Sequence, residues 1–206
     1  MMTRFQNVYV LNVMADDHPG IVAAVTAAVE EFDGNIDACS QTVLSGYFTL
    51  IMVVSMPEPV DPQQLCERVR GGQGRQKPPG FQVSARAFVP PADEPAGQER
   101  GRFVITAFGE DRPGIVRRFS QYLAGKDVNI IDLYGDRSGD RFVLISQVEL
   151  PPRWDIQMLQ ADLEEIGKEE GFTVRLQHEN VFVATNQLRG PQLRRRLAKP
   201  AFPAGG

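Results

Sequence analysis

The sequence predicts an α+β protein of two tandem domains, each a βαββαβ unit whose antiparallel sheet carries helices on one face. Three observations lead there. Asp17-His18-Pro19-Gly20-Ile21-Val22 returns as Asp111-Arg112-Pro113-Gly114-Ile115-Val116, a displacement of 94 residues. The same displacement takes Asn35-Ile36 onto Asn129-Ile130, Phe48 onto Phe142, Leu50-Ile51 onto Leu144-Ile145 and Leu65 onto Leu159. A constant shift over that distance marks a repeated folding unit rather than a chance motif. Within each half, short β-branched runs alternate with segments of helical period.

In the first copy, Val8 to Met14 is a dense apolar run that reads as a buried strand ending at Ala15-Asp16-Asp17. Pro19 stands where a helix begins, in a first turn that needs no N–H from it. Ile21, Val25, Ala28, Val29 and Phe32 follow at spacings of three and four, one face of a helix that Asp33-Gly34 stops. Asn35 to Leu44 and Tyr47 to Ser55 are two strands joined by a Ser45-Gly46 hairpin turn. Asp61 to Arg70 is a helix with Leu65 and Val69 inward, and Phe81 to Phe88 is the last strand. The order is that of a ferredoxin-like sandwich.

The second copy repeats the plan. Arg102 to Phe108 is a strand, and Ile115, Phe119, Tyr122 and Leu123 line a helix. Asn129 to Arg137 and Arg141 to Leu150 form a hairpin around Ser138-Gly139-Asp140. Asp155 to Lys168 is a helix with Ile156, Leu159, Leu163 and Ile166 buried, and Phe172 to Gln177 is a strand. His178 to Leu188 reads equally as a strand or a short helix. The expected domains are 1–89 and 102–188, the second with a C-terminal extension. A Pro-rich linker, 90–101, joins them, and a basic disordered tail, 189–206, follows. Gly71 to Gly80 is expected to be a solvated Gly/Pro-rich loop.

With 206 residues, the chain accommodates two domains of roughly 80 residues, each with a modest core. A net charge of −4 argues against direct nucleic-acid binding. Cys39 and Cys66 are too few and unpatterned for a disulfide framework or a metal site, which points to a reducing, cytoplasmic setting. No run approaches membrane-spanning length.

The Pro-Gly turn is where a ligand site is expected. A strand that passes through Pro-Gly into a helix leaves unpaired N–H groups at the helix start, and Gly20 and Gly114 let a ligand approach the backbone. A carboxylate suits such a site. Asp17 or Asp111 offers a partner for an ammonium group, and Asn35 and Asn129 offer both a donor and an acceptor. Together these describe a pocket for a free amino acid. The competing reading makes Asp17 and Asp111 helix caps and Asn35 and Asn129 turn residues. His18, matched by Arg112 in the second copy, is expected to be exposed.

Two copies of strand, acid, x-Pro-Gly-Ile-Val, helix, Asn-Ile and strand resemble the ACT domain, the regulatory amino-acid-binding module of many metabolic enzymes. The resemblance covers about residues 8–88 and 102–177. It implies an effector amino acid lying between two ACT domains, against the turn before the first helix. Matched residue by residue, the motif points to Asp17, Gly20 and Asn35 and to Asp111, Gly114 and Asn129, with Ile21, Ile36, Ile115 and Ile130 beside them. Paired ACT domains with no third domain are similar to regulators of the glycine cleavage system. That resemblance implies glycine or serine as effector, no cofactor and a regulatory protein partner. Ala23-Ala24 stands where the second copy has Arg117-Arg118, so the two sites are not expected to be equivalent.

Other function classes fit less well. An enzyme would need a Cys/His pair, a metal cluster or a phosphate loop at workable spacing, and none is present. An RNA-recognition sheet needs stacking aromatics and basic residues on its central strands, whereas Tyr47 to Val54 is uncharged. A ligand-free protein–protein adaptor remains compatible. The third strands add an expectation about assembly. Phe48, Leu50, Met52 and Val54 take the core face, yet Tyr47, Thr49, Ile51 and Val53 leave the opposite face largely apolar. Burying Ile51 and Val53 alone contributes on the order of 3–6 kcal/mol before association costs. A homodimer through that face is expected, with cover from residues 178–188 or from the second copy as the intramolecular alternative.

Overall fold

The computed structural model describes residues 3–71, 81–90 and 100–186. Of the loop expected at Gly71 to Gly80, Gly71 instead ends a helix and 72–80 lie outside the described residues, as do the body of the linker at 91–99 and the basic tail at 189–206. The chain divides into two compact units, Met1–Ala92 and Asp93–Gly206.

In the first unit the order is β1 (Asn7–Asp16), α1 (Ile21–Glu30), β2 (Asn35–Leu44), β3 (Tyr47–Met56), α2 (Pro62–Gly71) and β4 (Gln82–Ala87). The sheet order is β2-β3-β1-β4 with every pairing antiparallel. Alternation along β1 sends Leu11, Val13 and Ala15 to one face, where they meet Ile21, Val25, Ala28 and Val29 of α1 and Leu65 and Val69 of α2. Each such aliphatic side chain contributes about 1.5–3 kcal/mol by leaving water. Ser45 and Gly46 both have positive φ, 51° and 85°, the twist that a two-residue hairpin turn demands.

The second unit runs β5 (Gly101–Glu110), α3 (Ile115–Gly125), β6 (Asn129–Ser138), β7 (Arg141–Leu150), α4 (Ile156–Glu170), β8 (Phe172–His178) and α5 (Glu179–Asn186). Its sheet order, β6-β7-β5-β8, copies the first. Both ends of β1, β2 and β3 have counterparts 94 residues on in β5, β6 and β7. This is the βαββαβ pattern twice, as the sequence predicts.

Three local expectations need correction. Pro19 lies in the turn before α1 rather than in its first helical turn, because Gly20 takes the cap position. Ile156, expected to be buried, is 45% exposed: it opens α4, and the inward stripe starts one turn later with Leu159, Leu163 and Gly167. Gly167 is inside because a Cβ there would come within 2.5 Å of Val174 Cγ2. The segment after β8 resolves as a helix. α5 contacts β5 and β8, and Gln147 Nε2 donates to Glu179 Oε1 at 2.7 Å. Val104, on the sheet face away from the core, and Phe182 of α5 are both buried, although neither belongs to the core cluster. α5 therefore covers part of the outer face of the second sheet. Among the described residues, no helix is long and apolar enough to cross a membrane.

Candidate functional site

Each Pro-Gly turn carries its strand into its helix with the same backbone. Gly20 has φ 97° and ψ −9°, and Gly114 has φ 97° and ψ −7°. Only glycine adopts this left-handed conformation without strain. Each turn is latched to the neighbouring hairpin by a backbone bond, Asp17 N–H to the Gly46 carbonyl and Asp111 N–H to the Asp140 carbonyl, both 2.8 Å. The carbonyls of Gly20 and Gly114 accept the first helical bonds from Ala24 and Arg118. Among the described residues no side chain caps either helix. The capping role considered for Asp17 and Asp111 is therefore not what they do. The first-turn amides keep the partial positive charge of a helix start, and a Cβ built on Gly20 or Gly114 would meet nothing within 4 Å.

The two turns differ in electrostatics. In the second copy Arg137 Nε lies 3.0 Å from Asp111 Oδ2, Arg112 pairs with Glu110 at 3.0 Å, and Arg118 pairs with Glu169 and Glu170. Asp111 is already neutralised. In the first copy position 43, the counterpart of Arg137, is Val43, and Ala23 and Ala24 replace the two arginines. Asp17 is exposed and, among the described residues, has no ion pair. His18 is only partly exposed, contrary to expectation. Its Nδ1 lies 2.9 Å from the Pro19 carbonyl, and its Nε2 is shielded from solvent with no hydrogen-bond partner among the described residues. The ring folds back over the turn, whereas the longer Arg112 reaches across to Gly171 and Glu110.

The asparagines do not join the turn of their own domain. Asp16 pairs with Tyr47 across the sheet, while Asn35 stands opposite Ser55. Eight residues of β3 separate those registers, roughly 26 Å at 3.3 Å per residue. Glu110 opposite Arg141 and Asn129 opposite Glu149 repeat the arrangement. Asn35 Nδ2 instead donates to Asp37 Oδ1 at 2.9 Å, and the Arg4 amide donates to the same oxygen at 3.1 Å. Ile21 and Ile115 are buried in the two cores, which leaves their backbone amides as what they present at the turn. Ile36 is exposed, and Ile130 walls a crevice between α3 and β6 together with Val116, Ser120 and Leu133. The crevice is apolar and measures about 20 Å³, room for about one water molecule, so it does not take an amino acid. Within one domain, then, the turn carries the candidate site alone: an acid, open space over a glycine, and uncapped amides. Among the described residues no group of three or more His, Cys, Asp or Glu is placed to hold a metal ion.

This architecture and turn can be set beside known proteins. The ACT domain family model matches residues 7–71 and 101–177, one match in each half. The chain belongs to the ACT-domain family. ACT domains are regulatory modules that sense small molecules, and two of them make up the described body of this protein. A UPF0237 protein of Methanosarcina acetivorans is 38% identical over 82 residues, which is 39% of this chain and 89% of that protein. Such relatives are about the length of a single ACT domain. A protein of unknown function from Galdieria sulphuraria has a solved structure that matches 84% of this chain and 98% of its own, with a TM-score of 0.67 and 24% identity. A protein provisionally assigned as a glycine cleavage system transcriptional repressor matches the same shares, with a TM-score of 0.55 and 16% identity. At these identities the two structures show a shared fold and nothing further.

Proposed function

We propose that this ACT-domain protein senses a free α-amino acid at the Asp17–Gly20 turn of its first domain and passes the signal to a regulatory protein partner. One observation carries the reading: among the described residues the Asp17 carboxylate has no ion pair, and it stands at the uncapped start of α1, with open space over Gly20. A carboxylate of the ligand meets the amides of Ile21, Val22 and Ala23, and its ammonium group meets Asp17. The Asp111–Gly114 turn is the weaker candidate, because Arg137 already holds Asp111. Glycine and serine are the first effectors to test. The glycine cleavage system in the name of that structural neighbour supports that choice.

Titration calorimetry with each of the twenty amino acids at millimolar concentration tests the reading. Binding of a small amino acid is expected, and Asp17→Ala should weaken it by about 1.5–3 kcal/mol, the scale of a charge-assisted hydrogen bond. Asp111→Ala should cost much less. The second reading is a ligand-free adaptor, favoured by the exposed Val116, Ile131 and Leu133 beside α3 and β6. Twenty flat traces on folded protein would select the adaptor, and an affinity unchanged by Asp17→Ala would move the ligand away from this turn.

A further inference from the structure

The chain contains one sheet twice, so each outer face is a control for the other. In the second domain that face is finished for water. α5 covers its Val104 end, and the open part carries Asp132, Asp136, Arg141 and Arg175, with the Arg141 guanidinium 5.2 Å from the Phe108 ring centre. Matched through the strand registers, these four charged positions are Ala38, Thr42, Tyr47 and Ser84 in the first domain. Leu44, Tyr47 and Ile51 stand at 59, 57 and 50% exposure there, and among the described residues no element of the first domain plays the part of α5. Antiparallel sheets face water with polar residues outward, so this face is built for contact.

We infer that the outer face of the first sheet joins two copies of this chain in a homodimer. Three features select a second copy. Opposite charge does not specify a foreign partner, since Arg86 is the one cation among the middle residues of the strands on that face, whose polar members are otherwise short hydroxyl and amide side chains such as Asn12, Ser40 and Thr49. Such groups satisfy one another in a self-complementary pairing. The face is also of sufficient size. At about 4.8 Å between strands and 3.3 Å per residue it spans roughly 600 Å², so two copies bury about 1,200 Å², where stable interfaces begin. Finally, the corresponding face of the second sheet is closed by α5 and charge, so among the described residues each chain offers one such surface. A pairing of like with like through it stops at two.

The test is the molar mass of the full chain by multi-angle light scattering and its sedimentation at tens of micromolar, without added amino acid. The expected mass is twice the 22.9 kDa of the chain. The decisive variant, Ala38→Asp/Thr42→Asp/Tyr47→Arg, gives the first sheet the charges that the second sheet already tolerates. It should raise the dimer dissociation constant at least about thirtyfold, the effect of losing one strong interface residue. Ile51→Lys serves as a second probe should the triple variant misfold. A wild-type monomer overturns the proposal, whether the face is left open or covered within the chain. A dimer of undiminished affinity in a variant with wild-type circular dichroism overturns it as well, by placing the interface elsewhere. The outcome does not depend on the amino-acid reading of the turn.

Discussion

Gly20 and Gly114 share a conformation to within a few degrees, so the Pro-Gly turn is repeated down to its backbone angles. Nothing crowds the missing Cβ, so the cost of a side chain there is conformational alone. Gly20→Ala should destabilise the first domain by about 1–2 kcal/mol in urea unfolding, with Gly20→Asn milder. The glycine, the acid and the helix start were all legible in the sequence, because they are local. The difference between Asp17 and Asp111 was not. Arg137 reaches Asp111 only after the β6–β7 hairpin folds back over it, and 26 residues of chain separate the pair. The one available signal was Val43 at the matching position of the first copy. His18 was misjudged for a related reason: its pairing with Arg112 says nothing about a ring that turns back on its own backbone.

At the scale of elements, connectivity decides more than motif. A strand, a helix and a parallel strand put the start of the second strand beside the start of the first. Asn35 therefore stands with Asn7, at the end of the sheet opposite the turn. That conclusion was available from the element order, but proximity along the chain suggested the opposite. The glycines of the second domain report close packing that no periodicity reveals. A Cβ on Gly109 would fall 2.9 Å from Phe172 Cα, so Gly109→Ala should force β5 and β8 apart. α5 was left open by the sequence because its short apolar run suits either state. Phe182→Ala should cost about 3 kcal/mol in the second domain and uncover Val104, read as increased hydrogen exchange along β5. Tyr122 on α3 ties this domain together from its helical side by donating to Asp162 at 2.7 Å. Burial first, then that hydrogen bond, raises its pKa above the ordinary 10.0. The folded state thus holds the phenolic proton more tightly than the unfolded state. The associated stability is fully present below about pH 10 and is lost as pH rises through the raised value. Tyr122→Phe should flatten that alkaline decline in a thermal unfolding series.

Across the whole molecule, duplication has left two domains with one architecture and different surfaces. The shared part follows from alternation and helical period, which act within each copy and survive wherever apolar residues keep their places. The divergent part lies at positions the fold does not constrain. Ala23 and Ala24 face Arg117 and Arg118 across the repeat, and Ala38 and Tyr47 face Asp132 and Arg141. In both sets the first copy gives up charge. The first domain retains an acid that has no ion partner among the described residues at its turn and an outer face with little charge, while the second closes its own with ion pairs and α5. The central claim is that the first turn, not the second, holds the amino acid. Amide shifts in a ¹H–¹⁵N spectrum recorded while glycine, and then serine, is added to the full chain test this directly. Saturable shifts at Ile21, Val22 and Ala23, with Ile115, Val116 and Arg117 unmoved, are the predicted result. Shifts confined to the second turn, or none at either turn, would contradict it.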